Sequence, residues 1–262
     1  MELLLPIWIG LFGLVIGSFL NVLIYRLPLG KKFVSGRSAC TACGQQLKWY
    51  HNIPVLSYLC LRGKCAFCQE SISMRYPIVE LLNAALYLYF FRQEGMSLDF
   101  LILAVLASAL VVIFFIDLDH RIIPDSITLP GMIVGLAVSM RPDGIGILSA
   151  IIGLVAGGGS LYLVALLGDW LFKKESMGGG DIKMAGMLGA FLGWQKVIFV
   201  FFGSAAIGLV VSLAVMCFSS RLRETRMIPF GPFLASAAVV AIIFGDRIIH
   251  WYLVTVVGVT PW

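Results

Sequence analysis

The chain is short of charge. Only 13% of its 262 residues are Asp, Glu, Lys or Arg, about half the share carried by soluble domains. With 60% hydrophobic residues and a mean hydropathy of +0.98, a water-soluble globule is excluded. Other absences narrow the reading. The opening MELLLPIWIGLFGLVIGSFLNVLIYRLP has no basic n-region, and no small-residue cleavage site follows its apolar stretch. It therefore reads as a retained first helix. No internal repeat recurs, whereas many transporters are built from repeated halves. No dinucleotide-type glycine fingerprint is present. The net charge of +5 is weak support for nucleic acid, and no such partner is expected.

What the chain does have is apolar runs of membrane-crossing length, roughly 17 to 25 residues. Eight segments stand out, at about 4–25, 77–91, 99–116, 126–140, 145–168, 184–194, 197–218 and 229–256. The sixth is short, and the eighth is expected to be interrupted at Gly245, Asp246 and Arg247. The expected fold is an all-α polytopic membrane protein of about eight transmembrane helices, with a cytoplasmic zinc-bound loop domain. Eight spans with the N-terminus outside place the loops 26–76, 117–125, 169–183 and 219–228 on one side. Those loops hold 15 of the 19 Lys and Arg residues, leaving Arg92, Arg141, Lys196 and Arg247 on the other. Basic residues beside spans stay in the cytoplasm, so both termini are expected outside. The same bias suits contact with anionic lipid.

The first cytoplasmic loop contains CTACG and CAFCQ. Cys40 and Cys43 form one CxxC, and Cys65 and Cys68 form a second. Each places two sulfurs on one tight knuckle, and Gly44 helps the first turn. Four thiolates suit tetrahedral zinc, at close to zinc-ribbon spacing. The cytoplasm is reducing, which disfavours a structural disulfide; unliganded thiols or a redox CxxC are the alternatives. All four positions are sulfur, so the site is expected to be structural, supplying folding energy to a loop with few apolar residues. Cys60 and Cys217 have apolar neighbours and are expected to be packing residues. His51 and Asn52 are either additional ligands or loop-lining residues. The chain is thus expected to divide into a first helix (1–26), the four-cysteine loop (27–76) and a membrane core (77–262).

Two carboxylates command attention. Asp117 follows the apolar LVVIFFI and precedes Asp119, His120, Arg121 and, after Pro124, Asp125. It should lie at the cytoplasmic end of the third span. Asp181, 64 residues later, follows Gly178, Gly179 and Gly180. One span leaves the cytoplasm between them and one returns, so both reach the same membrane face. Ionisable groups at membrane depth are costly and mark function. Two carboxylates brought together share a proton, the working state for aspartic proteolysis. Glycines before Asp181 allow close backbone approach and a hinge. Glu80, one turn into the second span, either serves substrate or methylation or is a hydrogen-bonded structural carboxylate. Lys183 is expected to bind a phosphate headgroup or a carboxylate, and Asn21 and Asn83 to join helices by hydrogen bonds.

Together these segments resemble the type IV prepilin leader peptidases that also act as N-methyltransferases. The resemblance rests on GSFLNVLIYRLP (17–28), the paired CxxC, NIPVLSYLCLRGKC (52–65), RYPIVELL (75–82), DLDHRIIPDSITLP (117–130) and GGGDIKMAGMLGAFLG (178–193). It covers nearly the whole chain. Thr41 departs from it, standing where many members have proline. The resemblance implies that Asp117 and Asp181 are the catalytic pair, with Gly178, Gly180, Asp119, Asp125 and Lys183 supporting. It implies prepilin and pseudopilin substrates, cut after Gly between a basic leader and an apolar helix. It also implies S-adenosylmethionine as methyl donor, in the bacterial inner membrane with the active site facing the cytoplasm. A peptidase without methyltransferase activity and a proton-coupled transporter are the rival readings; oligomeric state is not legible.

Overall fold

Helix contacts in lipid depend on small residues, because hydrocarbon offers no hydrophobic drive for helices to associate. This chain is rich in them, with 28 glycines. The computed structural model describes residues 4–32, 38–174, 177–218 and 229–258. The predicted loop 219–228 lies outside the described residues, as do 33–37 and Glu175 and Ser176 of two other loops. The described residues are helical apart from loops and two isolated bridges, Ala39 with Gln46 and Lys64 with Ser71. They fall into two units, Met1–Val112 and Ile113–Trp262.

In the first unit, α1 (Leu4–Arg26) packs on α3 (Arg75–Glu94). Gly13 and Gly17 form a GxxxG stripe at this contact. A methyl at Gly13 would lie 2.7 Å from the Ala84 Cα, and one at Gly17 2.6 Å from the Glu80 Cα. The close approach lets Asn83 Nδ2 donate to the Gly13 carbonyl at 2.8 Å. Ser108 Oγ, on α4 (Leu98–His120), donates to Asn83 Oδ1 at 3.0 Å, and Tyr87 OH lies 3.0 Å from the same Oγ. Asn21 Nδ2 reaches the Tyr76 carbonyl at 3.2 Å. Both asparagines therefore bond between helices. The cysteine loop joins α1 to α3 and carries a short turn, Trp49–Asn52, and helix α2 (Leu56–Cys60).

In the second unit, α5 (Asp125–Ser139), α6 (Ile147–Phe172), α7 (Gly179–Phe218) and α8 (Gly231–Tyr252) follow the end of α4. Contact between α6 and α7 is closest where Gly153 meets Gly189 and Gly157 meets Ala185, backbone against backbone. Helix α5 lies on α7 through Gly131 against Met187 and Gly135 against Ala190. The predicted sixth and seventh segments are limbs of α7, broken at Gly193, whose φ of 76° and ψ of 173° are not helical.

The eight predicted segments overlap seven helices, with ends that differ by a few residues, and five helices are long and apolar enough to cross a membrane. Helix α5 is shorter, and α3 lies outside those five. Outward faces are apolar, as at Trp8, Val105, Leu167 and Phe202, each about two-thirds exposed. That surface suits a hydrocarbon surround. One expectation is corrected: α8 runs unbroken through Gly245, Asp246 and Arg247. Asp246 is neutralised there by Lys196 Nζ at 2.8 Å, and the Lys196 stem packs on Gly245.

These contacts predict that Gly189→Ala destabilises the protein by about 2–3 kcal/mol or more, as overpacking does. Gly159, with nothing within 4 Å of an added methyl, should accept alanine with about 0.5 kcal/mol of change or less. Thermal unfolding in detergent checks both.

Candidate active site

Asp117 sits in the last turn of α4 and is 5% exposed. Its helix closes at Arg121, which takes a left-handed φ of 55° while its N–H still bonds the Asp117 carbonyl at 2.9 Å. The chain then turns inward through Ile123, 9% exposed, and Pro124 starts α5. Asp117 Oδ2 accepts the backbone N–H of Gly231 at 3.0 Å. Gly231 is the first residue of α8, with proline next. Helix N-termini favour anionic groups. A methyl at Gly231 would lie 2.6 Å from Asp117 Oδ2 and 3.1 Å from Ile123 Cδ1. Only glycine brings its N–H so close.

Asp181 is the third residue of α7, and its N–H bonds the Gly178 carbonyl at 3.1 Å. The backbone N–H of Gly178 is directed back at the Asp181 carboxylate. Asp181 Oδ1 is buried without a hydrogen-bond partner among the described residues. The three glycines ahead of it are not equivalent. A methyl at Gly180 would meet Ile123 Cβ at 2.9 Å, and one at Gly178 would meet Asp181 Oδ2 at 3.3 Å. Gly179 has nothing within 4 Å. Ile123 thus touches Gly180 on one side and Gly231 on the other, and the two aspartates flank it within electrostatic reach of each other.

The other acidic residues are placed differently. Asp119 is exposed. Asp125 is exposed too and holds Lys183 Nζ at 2.7 Å, tying the start of α5 to that of α7. Glu80, in the first unit, is 6% exposed and accepts the Val55 N–H at 2.8 Å. Gly231 was not singled out from the sequence. The signal was available in Phe230-Gly231-Pro232, a glycine immediately before the proline that opens an apolar helix.

The four cysteines Cys40, Cys43, Cys65 and Cys68 converge, with their sulfurs all within 4.8 Å of one another. The two knuckles repeat one geometry. Cys40 N–H bonds Gln45 and Cys65 N–H bonds Glu70, at 2.9 and 2.8 Å. Each knuckle closes on a left-handed residue, Gly44 (φ 72°) or Gln69 (φ 61°). The Cys40–Cys68 sulfur separation is 3.9 Å. A tetrahedron with metal–sulfur bonds of about 2.3 Å has edges of about 3.8 Å, so the set fits a metal ion. Backbone N–H groups of Cys43 and Ala42 pull the Cys40 thiol down to about 6. At Cys68 the Glu70 N–H acts in the same direction. Lost hydration and hydrogen bonds shared with the other three thiols outweigh it and push that thiol up to about 12. One thiolate forms readily, whereas four together need a cation. His51 stands outside the sulfur cluster, its ring edge-on to Tyr50 and Phe67. Cys60 and Cys217 are exposed, not packed inside; apolar neighbours in sequence do not imply burial where the surround is itself apolar.

Known proteins resemble this chain over both units. Residues 11–93 match the bacterial Peptidase A24 N-terminal domain, and residues 104–213 match the type IV leader peptidase family. Among curated proteins, a prepilin leader peptidase/N-methyltransferase of Myxococcus xanthus is 39% identical, covering 87% of this chain and 69% of that protein. Proteins of the same name from Pseudomonas putida and Pseudomonas aeruginosa are 37% and 36% identical. They cover 90% and 93% of this chain, and 89% and 91% of their own lengths. No solved structure matches. With this identity sustained over nearly its whole length, the chain belongs to the type IV leader peptidase family.

Proposed function

We propose that the chain is a membrane-embedded aspartic endopeptidase with a second, N-methyltransferase activity. It removes the basic leader of prepilins and pseudopilins after Gly and then methylates the new N-terminus. Asp117 and Asp181 are the catalytic pair. The observation that supports this reading is their approach around Ile123, with the Gly231 N–H on the Asp117 carboxylate and the glycine turn 178–180 beside Asp181.

The chemistry follows from the pair. The ionised carboxylate takes a proton from water, and its neutral partner protonates the scissile carbonyl oxygen; the roles then reverse. The titration belongs to the dyad rather than to either member. The Gly231 N–H fixes one oxygen of Asp117, leaving the other for water or the shared proton. The unpartnered Oδ1 of Asp181 is the other position available to that proton. Lys183 and Asp125, joined at the helix starts, hold the frame outside the chemistry.

In this reading the chain crosses the bacterial inner membrane about eight times with both termini outside, and the pair works at the cytoplasmic face, beside lipid. A substrate with a cytoplasmic leader and a membrane helix presents its cut site at that depth. The four cysteines hold zinc as a structural ion, which ties the loop into a fold when bound. S-adenosylmethionine supplies the methyl group, and Glu80 belongs to that activity.

Asp117→Asn and Asp181→Asn should each lower cleavage of a prepilin in detergent by at least about a thousandfold, with metal content unchanged. Mass spectrometry of the product reads cleavage and methylation together. Gly180→Ala should lower cleavage at least about tenfold, since Ile123 must shift. Gly179→Ala should leave it within about twofold. Metal analysis should find one zinc per chain, and Cys65→Ser should lose it and expose residues 38–74 to proteolysis before the membrane helices.

A further inference from the structure

The peptidase reading leaves one large feature unused. A cavity of about 1240 Å³ lies in the first unit, bounded by α1, α3 and the cysteine loop. Small-molecule sites are commonly about 300–1,000 Å³, so it has room for a ligand and a chain end together. Its lining runs from Glu80, 6% exposed, to Trp49, 81% exposed. Tyr58 and Tyr76 add aromatic surface, and Arg26 and Lys31 add positive charge.

Glu80 is held for a purpose that its partners do not explain. Its carboxylate accepts the Val55 N–H at 2.8 Å, with the Ser18 hydroxyl beside it as a second donor group. Both donors are neutral, whereas a buried carboxylate is normally paired with a cation. Val55 presents its N–H from a φ of 59° and ψ of −49°, a conformation that a β-branched residue rarely adopts. Such strain concentrates at ligand clamps. Gly17 lets α1 press against the backbone of Glu80 itself, so the carboxylate has little freedom to swing away.

We propose that this cavity is the N-methylation site, and that Glu80 seats the α-ammonium of the newly cut chain while the aromatic wall takes the cationic sulfonium donor. Aromatic faces attract such cations, and the basic pair suits the donor's carboxylate. The proposal rests on the N-methyltransferase reading above. The ammonium gives one proton to the Glu80 carboxylate, which passes it to solvent. The amine lone pair then forms the new N–C bond. The C–S bond of the donor breaks with its electron pair left on sulfur, releasing a neutral thioether and a secondary ammonium.

The test uses the full chain in lipid nanodiscs. A synthetic apolar peptide, standing for the start of the cut chain, is offered with a free or an acetylated N-terminus and no donor. Wild type should bind the free form about 10- to 100-fold more tightly, as a charge-assisted hydrogen bond predicts. Glu80→Gln should erase that difference. It should also cut methylation of the pre-cut peptide at least about a hundredfold once S-adenosylmethionine is added. If Glu80→Gln does not fold, Ser18→Ala carries the test, and should narrow the free-to-acetylated difference several-fold. No discrimination by wild type overturns the proposal, as does full discrimination in the folded variant. A wild type that cuts a prepilin but never methylates it defeats the N-methyltransferase reading instead, and the donor-free binding comparison still decides whether Glu80 is an ammonium seat.

Discussion

A carboxylate at the edge of a helix bundle surrounded by hydrocarbon must find its hydrogen bonds within the protein. Water is scarce there, and an unpaired charge is costly. In this protein the requirement falls on Asp117 and Asp181, and backbone N–H groups meet it. Gly231 donates to Asp117, and Gly178 is aimed at Asp181. A methyl at Gly231 would lie 2.6 Å from Asp117 Oδ2, and one at Gly178 3.3 Å from Asp181 Oδ2. The geometry of the proposed pair is therefore a packing problem solved by glycine, and Ile123 is the apolar spacer against which Gly180 and Gly231 rest.

The same device recurs away from the site. Gly13 and Gly17 bring α1 onto α3, and Gly153, Gly157 and Gly189 bring α6 onto α7. In both places the contact is backbone on backbone. At the first it fixes Glu80 and frees Asn83 to bond across helices. At the second it steadies the limb of α7 that carries Asp181 in its first turn. Polar groups that function need immobile backbones, and small residues make those backbones touch. The cysteine loop meets the same need differently. It has little apolar material, so four sulfurs around one point take the place of a core.

Much of this was legible from residue order. The apolar runs marked every long helix, because membrane helices carry an unbroken signal, but not the short α2 of the cysteine loop. The paired CxxC announced the sulfur cluster through spacing alone. GGGD was legible as a motif, but not which glycines it needs: Ile123 constrains Gly180 and the Asp181 carboxylate constrains Gly178, while Gly179 is open. Gly231 was missed because its partner Asp117 lies 114 residues earlier. The break expected at Gly245 was wrong because Asp246 finds Lys196, 50 residues distant. Cys60 and Cys217 were misplaced because apolar neighbours were taken to mean burial. Local pattern thus located the elements, whereas contacts between distant residues decided which of their side chains are held.

The central claim is that Asp117 and Asp181 work as a pair sharing one proton. The rate of prepilin cleavage against pH, measured as kcat/KM on the full chain in lipid, tests it most directly. A pair that needs one protonated and one ionised member predicts a bell, with the rate falling as the shared proton is lost and again as a second is gained. A profile with a single limb, in which one ionisation governs the rate across the range where the protein is folded, would contradict it.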